Sequence, residues 1–167
     1  MAGIWRISLS IDSPVRSMLI AMRRVPADVR RQIGQQTKRA GQPIWFEELR
    51  DGAATRQQQR VLVDPGRVSV TQRNISLRTG QTGSMRNGTP VSRLAVGAEF
   101  GMAPAKPIVS KTKGGKAYKR TAGQQFPARR PSGYVFHPAA KRAIPRVASL
   151  WVQTAVRTIM DAFDGRS

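Results

Sequence analysis

The sequence contains no cysteine and a single histidine, and only nine of its 167 residues are acidic. The absence of cysteine excludes disulfides, zinc–thiolate sites and thiol nucleophiles. The shortage of acids and histidine leaves little from which a metal site or an acid–base catalyst is built. We therefore expect a binding or assembly protein that is not an enzyme and has no catalytic residue, cofactor or metal ion.

Long apolar runs are also missing. Residues 1–12 lack the continuous apolar stretch of a signal peptide, and no segment approaches the ~20 apolar residues that span a bilayer. We therefore expect a protein made in a cytoplasm, with no membrane partner. The length is close to the commonest size of one domain, so residues 1–167 are interpreted as a single domain.

Positive charge is what the sequence has in excess. Lysine and arginine number 29, and the formal net charge is +20. Such a charge creates a potential of several kT over part of the surface, which favours nucleic acid or an acidic protein as the neighbour. Between Asp64 and Asp161 the only acid is Glu99. The charge is therefore concentrated in the middle and later part of the chain.

A basic segment between residues 102 and 132 contains several glycines and prolines and few apolar residues. It cannot offset its own ordering entropy, so we expect a long mobile loop. Its cations are the predicted contacts to nucleic-acid phosphates, with Tyr118 available to stack on a base. They are Lys106, Lys111, Lys113, Lys116, Lys119, Arg120, Arg129 and Arg130. The alternative is a solvated loop with no partner.

The N-terminal third combines a strand pattern with helical patterns. Apolar residues alternate over residues 3–11, which predicts a strand, and a short helix is predicted over roughly 14–24. A second helical region begins after Pro26, with Gly34 and Pro43 as weak points. Residues 44–49 are interpreted as a further helical piece that ends near Asp51-Gly52.

The remainder of the chain predicts an antiparallel sheet and a final helix. Residues 60–78 are interpreted as strands, with a hairpin turn at Asp64-Pro65-Gly66, and residues 91–100 and 134–136 as further strands. An apolar stripe that includes Trp151 predicts an amphipathic helix from Pro138 onward, with its stripe in the core. The predicted fold is α+β: an N-terminal strand and helices, a central antiparallel sheet with a long basic loop, and a C-terminal amphipathic helix packed on the sheet.

Two small groups of polar residues have more than one interpretation. Glu47, Glu48 and Asp51 form the only acidic cluster, and a solvated helix face is favoured over a metal site. A third interpretation is that Glu47 and Glu48 form an acidic edge that meets the basic surface of an identical neighbour. His137 is interpreted as a capping or packing residue and not as a general base.

Two short motifs resemble a known family. Val96-Gly97-Ala98-Glu99-Phe100-Gly101 is followed, after a variable loop, by Gly133-Tyr134-Val135-Phe136-His137-Pro138-Ala139-Ala140 at the start of the last helix. This order resembles the head–tail joining proteins of long-tailed phages, known as neck, tail-completion or minor tail-component proteins. Glu99, Phe100 and Gly101 match the family's strand end, and Phe136 and Pro138 match its helix start. The resemblance implies structural roles for these residues.

The resemblance implies a structural component of a virion neck or tail end, either a head-to-tail connector or a tail-completion protein. Such proteins assemble as rings, often of six copies, around the channel through which genomic DNA passes. The implied partners are copies of the chain, other neck, portal-side and tail-tube proteins, and the DNA. The implied location is the virion, assembled in the host cytoplasm. The alternatives are a tail terminator protein and a stand-alone, sequence-independent nucleic-acid-binding protein.

Overall fold

The computed structural model describes residues 6–8, 24–71, 74–112 and 114–165. Its strands are β1 (Arg6–Ser8), β2 (Arg67–Val70), β3 (Ile75–Arg78), β4 (Pro107–Lys111) and β5 (Ala117–Thr121). Its helices are α1 (Ala27–Gly52), α2 (Arg56–Gln58), which continues into a π-helical turn (Gln59–Val63), α3 (Val91–Phe100) and α4 (Phe136–Phe163). The fold is α+β, as predicted. The helix predicted over roughly 14–24 lies outside the described residues except for Arg24, which is in a turn.

The larger sheet has three strands in the order β1-β3-β2, and both pairings are antiparallel. β1 forms part of the strand predicted over residues 3–11. β2 and β3 form a hairpin closed by Thr71 and Asn74, whose backbone N–H and C=O groups lie 2.8 Å apart. Val68 pairs with Leu77, and both are buried, so one face of this hairpin lies in the core.

The hairpin predicted around Asp64-Pro65-Gly66 is wrong, because Val61 and Val63 belong to the π-helical turn. Leu62 between them is also buried, so buried and exposed residues do not alternate here as they would in a strand with one buried face. Thr55 and Gln58 start this helical segment with a reciprocal capping box. That arrangement is a known helix signal, and it outweighs the β-branched composition that follows.

Helix α1 is a single helix of 26 residues and is not interrupted at Pro43. Pro43 is exposed, whereas Gly41 and Trp45 on either side of it are buried. The proline therefore costs one backbone hydrogen bond on the solvent side without disturbing the packed side. The end predicted at Asp51-Gly52 is confirmed.

Helix α4 packs mainly along α1, and α1 in turn packs on β2, so the C-terminal helix lies in the sheet region as predicted. Ala143, Val147 and Trp151 are buried, which confirms the core interpretation of the apolar stripe. The ring of Phe136 meets Trp45 edge to face, with 5.7 Å between the ring centres. The Trp45 indole also donates to the backbone carbonyl of Arg78, which connects α4 and α1 to β3.

Two further predicted strands are helical. Residues 91–100 form α3, in which Val91, Ala95 and Ala98 are buried at helical spacing. Residues 134–136 form no strand, because Phe136 is already the first residue of α4. Both segments are short and rich in valine and aromatic residues, a composition that fits either period. The segment 102–132 also contains more structure than the predicted loop, since it includes the hairpin of β4 and β5.

Candidate nucleic-acid interface and the corner that supports it

Glu99, in the last turn of α3, caps the start of α4. Its carboxylate accepts hydrogen bonds from the backbone N–H groups of Val135 (3.1 Å), Phe136 (2.7 Å) and His137 (3.0 Å). Glu99 is 1% exposed. The first N–H groups of a helix lack internal hydrogen-bond partners and carry a positive partial charge. A buried carboxylate supplies both the missing acceptors and the opposite charge. The single acid of this long basic stretch is therefore a structural cap.

His137 lies beside this carboxylate, with Nδ1 3.1 Å from Oε1 of Glu99. Its ring also packs between Phe100 and Phe136, with ring centres 5.3 and 5.4 Å away. Sequence reasoning found no acid near His137, because Glu99 precedes it by 38 residues. The position at a helix start among aromatic rings agrees with the capping or packing interpretation.

Backbone hydrogen bonds join the two motifs into one corner, which we call the Glu99 corner and define by residues 99–101 and 133–138. The carbonyl of Glu99 accepts from the N–H of Tyr134 at 2.9 Å, and the carbonyl of Phe100 accepts from the N–H of Arg130 at 2.7 Å. Gly101 has a φ of 68°, and a side chain there would collide with the backbone of Ala128. Glycine is therefore required both for its conformation and for the close approach.

Five of the six predicted structural-motif residues belong to this corner, and Trp151 does not. Glu99 accepts from the N–H of Phe136, and the ring of Phe100 packs against His137. Gly101 follows directly and ends α3. Pro138 occupies the first turn of α4, where a missing N–H costs nothing. Trp151 lies farther along α4 and is buried in the core. The predicted strand end is in fact a helix end.

Phe126 anchors the segment that carries the basic hairpin. It is 8% exposed, and its ring lies against α3 at Gly97, where an added Cβ would be only 2.5 Å from the ring. Ala122 donates to the carbonyl of Lys106 at 2.8 Å and closes the base of the hairpin. Sequence reasoning missed Phe126. The available signal was that it is the only phenylalanine between residues 101 and 132.

Beyond this base, β4 and β5 form a two-stranded hairpin that makes no extensive contact with another described helix or strand. The register places Ile108, Ser110, Tyr118 and Arg120 on one face and Val109, Lys111 and Lys119 on the other. Val109 is 65% exposed and Tyr118 is 46% exposed. The hairpin therefore projects into solvent with cations, an aromatic ring and an apolar side chain on its surface.

The predicted nucleic-acid contacts separate into three groups. Lys111, Lys116, Lys119 and Arg120 lie on the hairpin, Lys106 lies at its base, and Arg129 and Arg130 lie on the return to α4. All seven are exposed, and Lys113 is outside the described residues. Arg120 is held by Ser110 Oγ at 2.8 Å and Gln125 Oε1 at 2.6 Å, and Arg130 stacks over the ring of Tyr134 at 5.2 Å. The hairpin is thus the densest basic group of the set.

Glu48 is buried and is paired within the chain. Its carboxylate accepts from Arg142 Nε at 2.5 Å and from Arg146 at 2.6 Å, and Glu47 also pairs with Arg146 at 3.2 Å. Burial raises the pKa of Glu48, but hydrogen bonds and charge from the two arginines outweigh it and hold the pKa below the ordinary value. The solvated-face interpretation is therefore wrong for Glu48, and Glu47 is the exposed acid left for the inter-subunit hypothesis.

Within the described residues, no three acidic or histidine side chains come together to hold a metal ion. Among the described residues, none of the helices combines the length and the hydropathy of a membrane span. Comparison with known proteins found no matching family model, no similar curated protein and no similar solved structure. The described residues form a mixed α+β fold with a basic hairpin of β4 and β5.

Proposed function

We propose that this protein is a structural component of a phage neck or tail end, a head-to-tail connector or tail-completion protein that forms part of a ring around the DNA channel. The observation that carries the proposal is the Glu99 corner. The two motifs that resemble the head–tail joining family are separated by about thirty residues, yet one buried carboxylate joins them. Two motifs that stabilise each other in space are a more specific resemblance than two short motifs alone.

The hairpin supports the proposal through its charge and its position. Exposed lysines and an arginine on a narrow projection can contact phosphates without reading base sequence. In a ring, several such hairpins would surround the channel. Contacts of this kind are loose and strongly screened by salt, so they would allow DNA to move past.

Disruption of the gene in the phage or prophage that encodes it tests the proposal directly. Electron microscopy of the lysate should show filled heads and finished tails that are not joined, and supply of the intact protein should restore joined particles. A tail terminator would instead give tails of uncontrolled length, because the finished tube would lack its cap. Normal, infectious particles in the disrupted strain would overturn the proposal.

A second candidate is a stand-alone, sequence-independent nucleic-acid-binding protein, which the same exposed hairpin favours. The two candidates differ in affinity and in assembly. A dedicated binder should remain small and bind duplex DNA tightly at low salt, whereas a neck protein should bind free DNA weakly and join a particle. Mass photometry combined with a DNA titration separates these outcomes.

A further inference from the structure

A basic cavity of about 460 Å³ lies where the edge strand β2 meets α1. Lys38 and Phe46 of α1, Arg67 of β2 and Arg78 of β3 contribute to its wall. None of its lining residues belongs to the hairpin of β4 and β5. Its volume falls within the range of cavities that hold small ligands. The cavity is therefore a second basic feature, separate from the hairpin.

The charge of this cavity is not balanced by its own acid. Three cations line it, and Asp64 is its only acidic lining residue. The Asp64 carboxylate already accepts from Arg60 at 3.3 Å and from Gln59 at 3.3 Å. Its negative charge is thus shared with a cation outside the cavity. An anionic ligand would supply the missing counter-charge.

The sheet register concentrates positive charge at the same place. Arg78 on the central strand is directly opposite Arg67 on β2 and opposite the register position of Arg6 on β1. Like charges directly opposite each other across antiparallel strands destabilise a sheet. The facing pair of Arg67 and Arg78 is therefore unfavourable unless an anion offsets it.

Arg78 also has an unsatisfied donor. Its Nε is buried and makes no hydrogen bond within the described residues. A buried donor without an acceptor costs free energy, and buried polar groups in proteins are normally paired. Its backbone, in contrast, is fixed, because its carbonyl accepts from the Trp45 indole at 3.2 Å. The backbone of Arg78 is thus fixed beside the cavity, and its Nε lacks a partner among the described residues.

We infer that this cavity binds a phosphate group. A guanidinium presents a planar fork that matches a phosphate, and a lysine adds a compact charge. Gln42 keeps the wall rigid, because its amide donates to the carbonyl of Gly66 and accepts from the N–H of Val68, both at 2.9 Å. Phe46 offers an apolar surface beside the charges. The phosphate belongs either to a free nucleotide or to the backbone of DNA.

Calorimetric titration at low salt tests the inference with three probes: inorganic phosphate, a mononucleotide and a short DNA duplex. Arg67 is exposed, so R67Q should fold normally and weaken phosphate binding roughly tenfold or more. R86Q is the matched control, since it removes one exposed charge outside the cavity, and its affinity should stay near that of the unchanged protein. R78K keeps the charge but loses the fork, and should also bind more weakly.

The three probes separate the two sources of phosphate. If DNA is the source, R67Q weakens duplex binding more than R86Q does. If a free nucleotide is the source, R67Q weakens mononucleotide binding while duplex binding changes equally in both variants. Absence of saturable phosphate binding, or equal losses in R67Q and R86Q with all three probes, would overturn the inference. Circular dichroism checks folding, and if R78K is unfolded, R67Q decides alone. Because the titrations use the isolated protein, their outcome is independent of any role in a phage neck.

Discussion

At the scale of single residues, Glu99 is the acid that joins the end of α3 to the start of α4. Its carboxylate replaces the missing partners of three backbone N–H groups and lies against His137. If the carboxylate were removed, those N–H groups would remain buried and would lose the acceptor that Glu99 provides. Glu99 therefore controls both the start of α4 and the return of the hairpin segment toward it.

Replacement of Glu99 by alanine should lower the free energy of unfolding by about 2–4 kcal/mol, because a cap and several charge-assisted hydrogen bonds are lost together. Replacement by glutamine should cost less, since one acceptor oxygen remains. Urea denaturation of both variants measures these changes.

E47A is the matched control for the Glu99 variants, because Glu47 is an exposed acid with a single surface ion pair. Its effect should stay below about 1 kcal/mol. Equal free energies of unfolding for E99A and E47A would show that the Glu99 cap contributes nothing to folding.

The sequence revealed these residues without revealing their geometry. Resemblance to a phage family drew attention to Glu99, Phe100 and Phe136, but as a strand end and a helix start. The hydrogen bonds of the cap join residues 36 to 38 positions apart. No local pattern encodes such a contact. Apart from the resemblance, the only signal at Glu99 is that it is a lone acid within a long basic stretch.

At the scale of elements, the contact of α1 with α4 is the main packing of the protein, and ion pairs reinforce one side of it. Glu48 is 5% exposed on α1 and accepts from Arg142 and Arg146 on α4. Both arginines remain about half exposed, so solvent screens the pairing in part. These ion pairs therefore add to a contact between α1 and α4 that apolar side chains already stabilise.

The stability contributed by Glu48 should depend on pH. In the folded protein its pKa lies below the ordinary 4.5. Between the pKa of the folded protein and that of the unfolded chain, the unfolded chain therefore binds more protons. The contribution is present above pH 4.5 and is lost as the pH falls through the lowered pKa of Glu48. At pH 7, E48Q should be less stable by about 1–2 kcal/mol, and the difference should shrink below pH 4.5.

Denaturant titrations of the unchanged protein and of E48Q between pH 3 and pH 7 measure this dependence. E47Q serves as the control, because Glu47 pairs with the same Arg146 at the surface. A difference between the unchanged protein and E48Q that stays constant over the whole range would contradict the assignment.

The long helices and the strands β1, β2 and β3 were predictable from the sequence, whereas the short helical segments were not. α4 repeats buried positions from Phe136 to Thr158, about six turns, and a helical period sustained over that length does not fit a strand. The π-helical turn at Gln59–Val63 and α3 are short, and their valines suggested strands. Capping by Thr55 and packing against the rest of the core decide these segments. Neither the cap nor the core packing can be read from the local spacing of apolar residues.

At the scale of the whole molecule, charge and packing are arranged separately. The described acids are used mostly in capping and ion pairs, as with Glu99, Glu48 and Asp64. The exposed cations of the hairpin, in contrast, project from a pair of strands with few neighbours. Composition alone predicted a polyanionic partner, but only the fold shows that part of the charge is presented on one projection.

Neutralisation of the hairpin should reduce the salt dependence of DNA binding. The variant carries four substitutions: K111Q, K116Q, K119Q and R120Q. Each phosphate contact that is lost lowers the slope of log K against log salt by about 0.9, so four contacts would lower it by as much as about 3.6. The control removes the same charge from exposed positions elsewhere: R31Q, R56Q, R86Q and R93Q.

Fluorescence anisotropy of a labelled duplex at several salt concentrations measures both slopes. The control should keep most of the original slope, because net charge alone gives a diffuse attraction, whereas the hairpin supplies phosphate contacts at short range. A thermal melt shows whether each variant is folded. Equal slopes in the two variants would assign DNA binding to the overall charge of the protein and remove the hairpin as its contact.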